Sequence, residues 1–251
     1  MKLLIYDIET SPLQSYTWGT YQTDVVKVEK DWYMLSFAYK WYGEKKTKVY
    51  GLPDFATYKK DPTDDIELVK KLHELFDEAD VVVAHNGDNF DQKKSSARFL
   101  LNGLTPPSPY QQIDTLKVAK RYFKLTSNRL NDIGQYLKVG KKVETGGFDL
   151  WLKCMAGDQK AWKLMKKYNK QDVDLLELVY EKLLPWIKNH PNRAVLDGVP
   201  DACPNCGAVG KMQLRGKYAT RTMVKQNVQC QSCFAYNKVR INPPQDKVMY
   251  T

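Results

Sequence analysis

Short apolar runs bounded by polar residues organise the first fifty positions of the chain. The run from Lys2 to Glu9, which ends in acids, predicts a buried central strand that delivers side chains to the edge of a sheet. Residues 33–41 and 46–51 predict two further strands joined at Gly43-Glu44. Together these segments predict an antiparallel meander.

Apolar residues at helical spacing begin after residue 64. Asp64 and Asp65 can cap a helix whose apolar positions run from Ile66 to Phe76, and residues 79–84 return as a strand. Strands that come first and helices that come later predict an α/β domain with mixed strand direction. The later helical segments are expected at about 90–101, 116–123, 130–137 and 158–187.

A polar stretch rich in chain breakers follows Trp186 and predicts a domain boundary. We expect a first domain at 1–187, a linker at 188–200 and a small module at 201–251. Residues 197–251 hold eight Lys or Arg residues against three Asp residues, so they carry half of the net charge of +10. The small module is therefore disproportionately basic.

The positive net charge favours an acidic polymer as partner, and nucleic acid is the commonest such partner. A basic, well-solvated surface is the alternative. Residues near Met1 do not resemble a signal peptide, and no apolar segment approaches the roughly 18 residues of a membrane span. We therefore expect a soluble cytoplasmic or nucleoplasmic protein without a membrane partner.

Two carboxylates stand close together at the end of the first predicted strand. Asp7 and Glu9 are two residues apart, so a strand points both side chains to the same face. Such a pair of like charges is costly unless cations neutralise it. An ordinary polar strand end is the alternative for this pair taken alone.

Two later segments place acids where they can join the same site. Asp91 lies in the first turn of a helix after a predicted strand, where it can aim a carboxylate at the strand edge or cap the helix. His85 and Asp88 in the preceding loop remain ambiguous. Tyr168 and Asp172 are four residues apart and share a helix face, although a solvated helix face fits them as well.

The four acids together suggest a hydrolytic metal centre. Asp7, Glu9, Asp91 and Asp172 supply the oxygen ligands that two Mg²⁺ or Mn²⁺ ions near a phosphodiester require. Two such ions about 4 Å apart stabilise both the attacking water and the leaving 3′ oxygen. A phenol at Tyr168 can orient that water or help to deprotonate it.

The acidic motifs resemble those of the DEDD superfamily of 3′-to-5′ exonucleases, which have a ribonuclease H-like fold. Asp7-Ile-Glu-Thr resembles the first motif, Asn86-x-x-x-Phe-Asp91 the second and Tyr168-x-x-x-Asp172 the third. The tyrosine in the third motif implies the DEDDy branch and nominates Tyr168 beside the attacking water. The resemblance implies a ribonuclease H-like mixed sheet flanked by helices.

The resemblance spans residues 1–187 and also implies contacts with a terminal nucleotide. It assigns Thr10, through its backbone, and Leu13, as an apolar wedge against the terminal base, to the binding of the 3′ nucleotide. Asn86 is the third residue that it assigns to this role. The segment around Asp114 resembles a structural part of the family.

Two Cys-x-x-Cys pairs predict a second kind of metal site. Cys203 and Cys206 are separated from Cys230 and Cys233 by a spacing close to that of tetrahedral Cys₄ zinc sites. The pattern resembles a zinc ribbon and predicts one structural Zn²⁺. A redox dithiol is the competing interpretation.

Basic residues fill the segment between the two cysteine pairs. Residues 212–214 and 221–229 predict hairpin strands. Cations on these strands would contact phosphates without reading sequence, whereas a solubilising face or a protein-docking surface is the alternative. The cations are Lys211, Arg215, Lys217, Arg221 and Lys225.

We expect the chain to bind a single-stranded 3′ end and to release nucleoside 5′-monophosphates by metal-assisted hydrolysis. DNA is favoured over RNA by analogy with proofreading domains. One alternative is an adaptor with little turnover that binds nucleic acid, a polymerase or another replication or repair protein. The other alternative is a structure-selective nuclease of the same fold.

Overall fold

A five-stranded mixed sheet organises most of the chain in the computed structural model, which describes residues 1–221 and 223–241. The first seven strands are β1 (Leu3–Thr10), β2 (Gln14–Tyr16), β3 (Lys27–Lys30), β4 (Met34–Trp41), β5 (Lys48–Gly51), β6 (Val81–Ala84) and β7 (Gln111–Asp114). The sheet has the order β5-β4-β1-β6-β7. β1 is antiparallel to β4 and parallel to β6, β4 is antiparallel to β5, and β6 is parallel to β7.

Helices flank this sheet, so the predicted ribonuclease H-like α/β class is confirmed. A short helix, α7, lies inside the stretch that the sequence predicted as a linker. Among the described residues, no helix combines the length and the apolarity that a bilayer span requires. The helices are α1 (Ile66–Glu78), α2 (Asp91–Leu101), α3 (Thr115–Tyr122), α4 (Leu130–Tyr136), α5 (Asp149–Met155), α6 (Gln159–Leu183) and α7 (Arg193–Leu196).

β1 forms the centre of the sheet because six of its eight residues are buried. Tyr6 packs edge-on against Phe76 of α1, with ring centroids 5.0 Å apart. Ile8, between the two acids of the strand, is buried. Strand alternation therefore anchors one face of β1 in the core and leaves Asp7 and Glu9 on the other.

The two acids predicted to cap α1 have different roles. Asp64 accepts a hydrogen bond from the backbone N–H of Ile66 at 3.0 Å and satisfies a free donor of the first turn. Asp65 is buried instead, where it accepts from the backbone N–H of Met34 at 2.8 Å and pairs with Arg98 at 2.5 Å. Asp65 therefore ties α1 to β4 and α2.

The described residues divide into two compact units. The larger unit comprises Lys2–Lys117 and Thr126–Val179 and holds the mixed sheet. The smaller unit comprises Met1, Val118–Leu125 and the described residues from Tyr180 onward. The predicted boundaries at 187 and 200 remain proposals, and Thr222 and residues 242–251 of the predicted module lie outside the described residues.

The smaller unit contains a three-stranded antiparallel sheet in the order β10-β9-β8. Its strands are β8 (Met212–Ala219), β9 (Val224–Cys230) and β10 (Tyr236–Ile241). The two predicted hairpin strands are thus confirmed as β8 and β9. The sequence did not predict β10.

Candidate functional site

Three carboxylates from two elements meet beside the centre of the mixed sheet. Asp7 and Glu9 project from the same face of β1, and Asp172 projects from α6. Carboxylate oxygens of these three residues all lie within 4.8 Å of one another. The structure therefore brings together residues that are more than 160 positions apart along the chain.

Asp91 lies next to this group at the first position of α2. It is buried, and its Oδ1 accepts a hydrogen bond from the backbone N–H of Ile8 at 3.2 Å. Among the described residues, the group within 4.8 Å comprises Asp7, Glu9 and Asp172 and does not include Asp91. We call the four residues together the acid cluster.

Burial and mutual repulsion hold protons on the acid cluster. Burial raises the pKa of Asp7 well above its usual value, with further increases from Asp91 and Asp172. Burial and the charge of Asp172 raise the pKa of Glu9 to about 8. Burial raises the pKa of Asp91 to about 7, although the hydrogen bond from Ile8 opposes the shift. Cations bound here would relieve this repulsion.

One oxygen of the acid cluster has no protein partner. Oδ1 of Asp172 is buried without a hydrogen-bond partner among the described residues. Such an atom is costly unless a ligand satisfies it. The oxygen-only donor set and this free oxygen fit a hard divalent cation such as Mg²⁺ or Mn²⁺.

Lys142 supplies a positive charge to the acid cluster, and the sequence reasoning missed it. It lies in the loop between α4 and α5, with Nζ 2.5 Å from Oδ2 of Asp172 and 3.2 Å from the hydroxyl of Tyr168. Burial lowers the pKa of Lys142, but Asp172 and Asp7 outweigh it and hold the pKa above its usual value. The lysines around it in the sequence give no signal that distinguishes Lys142.

Tyr168 shares the acid-cluster face of α6 with Asp172. Burial, followed by the charge of Asp172, raises the pKa of the Tyr168 phenol above its usual value. Trp151 of α5 packs edge-on against the Tyr168 ring with centroids 6.1 Å apart. The phenol is therefore held in position and stays protonated at neutral pH.

Asn169 fixes the carboxylate of Asp7. It is fully buried, and its Nδ2 donates to Oδ2 of Asp7 at 2.7 Å and to the backbone carbonyl of Asp7 at 3.2 Å. The hydroxyl of Ser36 donates to Oδ1 of Asn169 at 3.1 Å and sets the orientation of the amide. Its position next to Tyr168 in the third motif was the only sequence signal for this residue.

A cleft of about 550 Å³ opens beside the acid cluster. Thr10 and Leu13 lie in its walls with Trp32, Lys94 and Trp151. The ammonium of Lys94 donates to Oγ1 of Thr10 at 3.2 Å and stands 3.9 Å from the centroid of the Trp32 ring. Glu9 immediately precedes Thr10 on β1, so the cleft adjoins the acid cluster.

The loop before α2 is held by residues outside the acid cluster. Asn86 has a left-handed backbone with φ of 66°, and its N–H donates to Oδ1 of Asp114 at 2.9 Å. His85 contacts the hydroxyl of Thr115 and the carbonyl of Asn128, both at 2.9 Å. Asp88 pairs with a lysine of α3. These contacts give His85, Asp88 and Asp114 structural roles.

The four predicted zinc ligands converge in the smaller unit. The Sγ atoms of Cys203 and Cys233 are 3.7 Å apart, those of Cys206 and Cys230 are also 3.7 Å apart, and all four lie within 4.8 Å of one another. Zn–S bonds of about 2.3 Å in a tetrahedron place sulfurs about 3.8 Å apart. The group therefore fits a tetrahedral metal ion.

The turn after Cys203 has the geometry that a Cys-x-x-Cys ligand pair needs. Gly207 has a φ of 78°, which favours glycine, and its N–H donates to the carbonyl of Cys203 at 2.9 Å. The guanidinium of Arg193 donates to the carbonyl of Cys206 at 2.9 Å. A hydrogen bond from Cys233 lowers the pKa of Cys203 to about 5 and favours the thiolate that binds metal.

Comparison with known families gives one match. The family model described as the RNase H superfamily matches residues 4–184, a span that includes the acid cluster and Tyr168. A search of curated proteins finds no match.

Proposed function

Because the chain belongs to the RNase H superfamily, we propose that it is a metal-dependent 3′-to-5′ exonuclease of the DEDDy branch. The superfamily itself supports a nucleic-acid-cleaving hydrolase. The observation that carries the finer proposal is the convergence of Asp7, Glu9 and Asp172 beside an aromatic cleft. The substrate is a single-stranded 3′ end, with DNA favoured over RNA, and the products are nucleoside 5′-monophosphates.

The acid cluster would hold two Mg²⁺ or Mn²⁺ ions. When bound, such ions supply Lewis-acid stabilisation of the attacking and leaving oxygens of the phosphodiester. Asp7, Glu9 and Asp172 offer converging oxygens, and Asp91 offers a fourth carboxylate against β1. Asn169 keeps the Asp7 carboxylate pointed at the site.

Tyr168 would orient the attacking water by a hydrogen bond. In the metal-free chain, burial raises the pKa of its phenol above the usual value, so the phenol can donate that hydrogen bond at neutral pH. Lys142, which contacts both Tyr168 and Asp172, keeps the phenol beside the carboxylate.

The cleft beside the acid cluster would take the terminal nucleotide. Leu13 and Trp32 present apolar and aromatic surface for the base, and Lys94 presents a cation for a phosphate. Thr10, in the wall of the same cleft, would contact the nucleotide through its backbone. Asn86 stays a proposed contact from the resemblance, since it lies in the loop before α2.

The cysteine group would hold one structural Zn²⁺ in a zinc-ribbon domain at 201–251, joined to the nuclease domain at 1–187 by residues 188–200. Four sulfurs at tetrahedral spacing support this assignment over a redox dithiol. Because a segment this short buries little core, the ion would supply much of its folding free energy.

A 5′-labelled strand tests the proposed activity. We expect a ladder of products with Mg²⁺, none with a chelator, and none when the 3′ end is blocked. Asp172→Asn should abolish the ladder, whereas Asp174→Asn, on the same helix but bonded to Thr47, should leave it intact. Parallel DNA and RNA strands test the preference for DNA.

Other outcomes separate the alternatives. Internal cuts on a strand with a blocked 3′ end would favour the structure-selective nuclease. Binding without any cleavage in Mg²⁺ or Mn²⁺ would favour the adaptor for nucleic acid or a polymerase. Full activity of Asp172→Asn would overturn the assignment of the acid cluster.

A further inference from the structure

The three-stranded sheet of the smaller unit has two chemically different faces. Residues paired across antiparallel strands point to the same side. On β10, Tyr236 pairs with Gln229 and Lys238 pairs with Asn227. On β8, Tyr218 pairs with Lys225 of the same central strand. Because these β9 partners are spaced by two, the register puts both tyrosines on one face.

The opposite face of this sheet, which we call the apolar face, carries apolar residues together with Lys217, Gln226 and Asn237. Met212, Val228 and Val239 lie on that face and line a cavity of about 1040 Å³ with Ala194 and Pro200. Val228, on the central strand, is only 5% exposed. On the tyrosine face, Tyr218 is 45% exposed and Tyr236 is 62% exposed.

Positive charge accompanies the two exposed rings. The sequence from Ala202 to Ile241 contains seven Lys or Arg residues and no Asp or Glu. Lys238 stands with Nζ 3.7 Å from the centroid of the Tyr218 ring, and Lys225 is the cross-strand neighbour of Tyr218. The guanidinium of Arg215 donates two hydrogen bonds to Oε1 of Gln229, from Nε at 3.1 Å and from Nη2 at 2.9 Å, and so lies on the same face.

Among the residues that the structure describes, no acid forms an ion pair with Arg215, Lys225 or Lys238. Their charge is therefore available to an acidic ligand. A purely acidic protein partner would use the cations and leave the two exposed rings unused. Unpaired nucleic-acid bases use both features, since they stack on aromatic rings while cations contact the backbone.

We propose that this tyrosine face, formed by Tyr218, Tyr236, Arg215, Lys225 and Lys238, is a second nucleic-acid site that binds a single strand. Tyr218 and Tyr236 lie opposite β9 residues four positions apart, roughly 13 Å along the strand. One extended chain that follows β9 passes both rings. Duplex bases are already stacked on each other and cannot do so.

This second site goes beyond the proposed exonuclease activity, because binding here does not require cleavage. The zinc-loaded full chain is titrated without Mg²⁺ into a fluorescein-labelled oligothymidylate and an oligouridylate, and polarisation is measured. Tyr218→Ala with Tyr236→Ala should weaken binding about tenfold or more. Tyr→Phe at both positions should retain the affinity, since the phenyl ring still stacks.

A matched variant on the other face distinguishes stacking from bulk charge. Lys217 precedes Tyr218 on β8 and pairs with Gln226, so it points to the apolar face. Lys217→Ala should change affinity less than twofold, whereas Lys225→Ala should weaken it more. Equal losses in these two variants would overturn the proposal, as would unchanged binding by the double tyrosine variant.

Salt and duplex measurements test the remaining parts. Replacing Arg215, Lys225 and Lys238 with alanine should reduce the slope of log affinity against log salt by about 2 for a single strand. A blunt duplex should bind more weakly than the single strand, and the tyrosine substitutions should not change its affinity. If the tyrosine substitutions weakened the binding of duplex and single strand equally, the stacking role would be overturned. The face would then be only a surface that contacts phosphates or protein.

Zinc content and circular dichroism check that each variant is folded. If an alanine variant loses zinc, Tyr218→Val with Tyr236→Val replaces it, because valine preserves strand propensity without a flat ring. Since no Mg²⁺ is present, these results stand whether or not the acid cluster cleaves. If the protein cleaves with Mg²⁺ but the tyrosine face does not bind a single strand, the second site is rejected and the proposed exonuclease activity stands.

Discussion

At the residue scale, the amide of Asn169 decides where the carboxylate of Asp7 points. Asn169→Ala removes the donor at 2.7 Å and leaves Oδ2 of Asp7 free to turn away. Loss of such a supporting contact costs about ten- to a hundredfold in metal affinity or activity. We expect that loss in Mn²⁺ titrations and in the cleavage rate.

Ser36→Ala is the graded control for Asn169. Ser36 contacts Oδ1 of the amide and not the acid itself, so its removal should have a smaller effect in the same direction. If Asn169→Ala bound Mn²⁺ as tightly as the unchanged protein, the positioning role would be wrong.

Lys142 balances the charge of the acid cluster before metal binds. Lys142→Met leaves Asp172 without its cation, and breaking a buried pair costs up to about 3 kcal/mol of folding stability. We expect a lower melting temperature without metal and a smaller difference with Mg²⁺. Lys141→Met, at the exposed neighbouring position, is the control. Equal melting of both variants would contradict this role.

The acid cluster makes the metal-free protein sensitive to high pH. The pKa of Glu9 rises from 4.5 to about 8 on folding, and that of Asp91 rises from 3.8 to about 7. The folded state therefore favours the protonated carboxyls, whose contribution to stability is complete below about pH 4 and is lost as pH rises towards 8.

Mg²⁺ should reverse this dependence, because it favours the ionised carboxylates. Thermal melting from pH 5 to 8, with and without Mg²⁺, measures both effects. A metal-free melting temperature that rises steadily across this range would contradict the shifted pKa values of Glu9 and Asp91. The Asp172→Asn variant should show a weaker response to Mg²⁺.

At the scale of elements, β6 approaches the loop before α2 so closely that Gly87 has no room for a side chain. A Cβ at Gly87 would lie 2.6 Å from Cβ of Ala84. Gly87→Ala should therefore shift the loop that leads to Asp91 and cost about 1–3 kcal/mol of stability. Gly19→Ala, where the added atom meets nothing within 4 Å, should be neutral in the same denaturation experiment.

Periodicity predicted the elements that carry buried faces and missed the others. β1 and α6 were predictable because their apolar positions repeat with strand or helix spacing. The hairpin of β2 and β3 has fully exposed strands, so no apolar alternation marks it. β7 has only four residues, too few to show a clear period, and its parallel pairing with β6 identifies it as a strand.

The ligands of the candidate site were visible in the sequence, but their supports were not. Carboxylates stand out at i, i+2 and i, i+4 spacing in any chain. Lys142 and Asn169 act through contacts across 30 and 162 residues, and no local spacing encodes such contacts. The two faces of the smaller sheet likewise depend on a register that includes the unpredicted β10.

At the scale of the whole molecule, the two candidate metal sites lie in two separate units. Cys203→Ser with Cys206→Ser should reduce bound zinc from one ion per chain to none and unfold β8–β10, because a segment this short buries little core without the ion. The larger unit has its own apolar core. Cleavage of a short oligonucleotide should therefore survive.

The three expected results can be measured on one sample. Zinc analysis reports the bound ion, circular dichroism reports the unfolding of β8–β10, and cleavage of a trinucleotide reports the activity. Cys154→Ser, at a buried cysteine outside the metal group, is the control and should keep the zinc. Loss of trinucleotide cleavage together with zinc would show that the two units depend on each other.

The contact between Asn169 and Asp7 spans 162 residues and has a consequence for synthesis of the protein. Asp7 on β1 is translated well before α6, so β1 leaves the ribosome first. The acid cluster therefore cannot assemble until both β1 and α6 have left the ribosome.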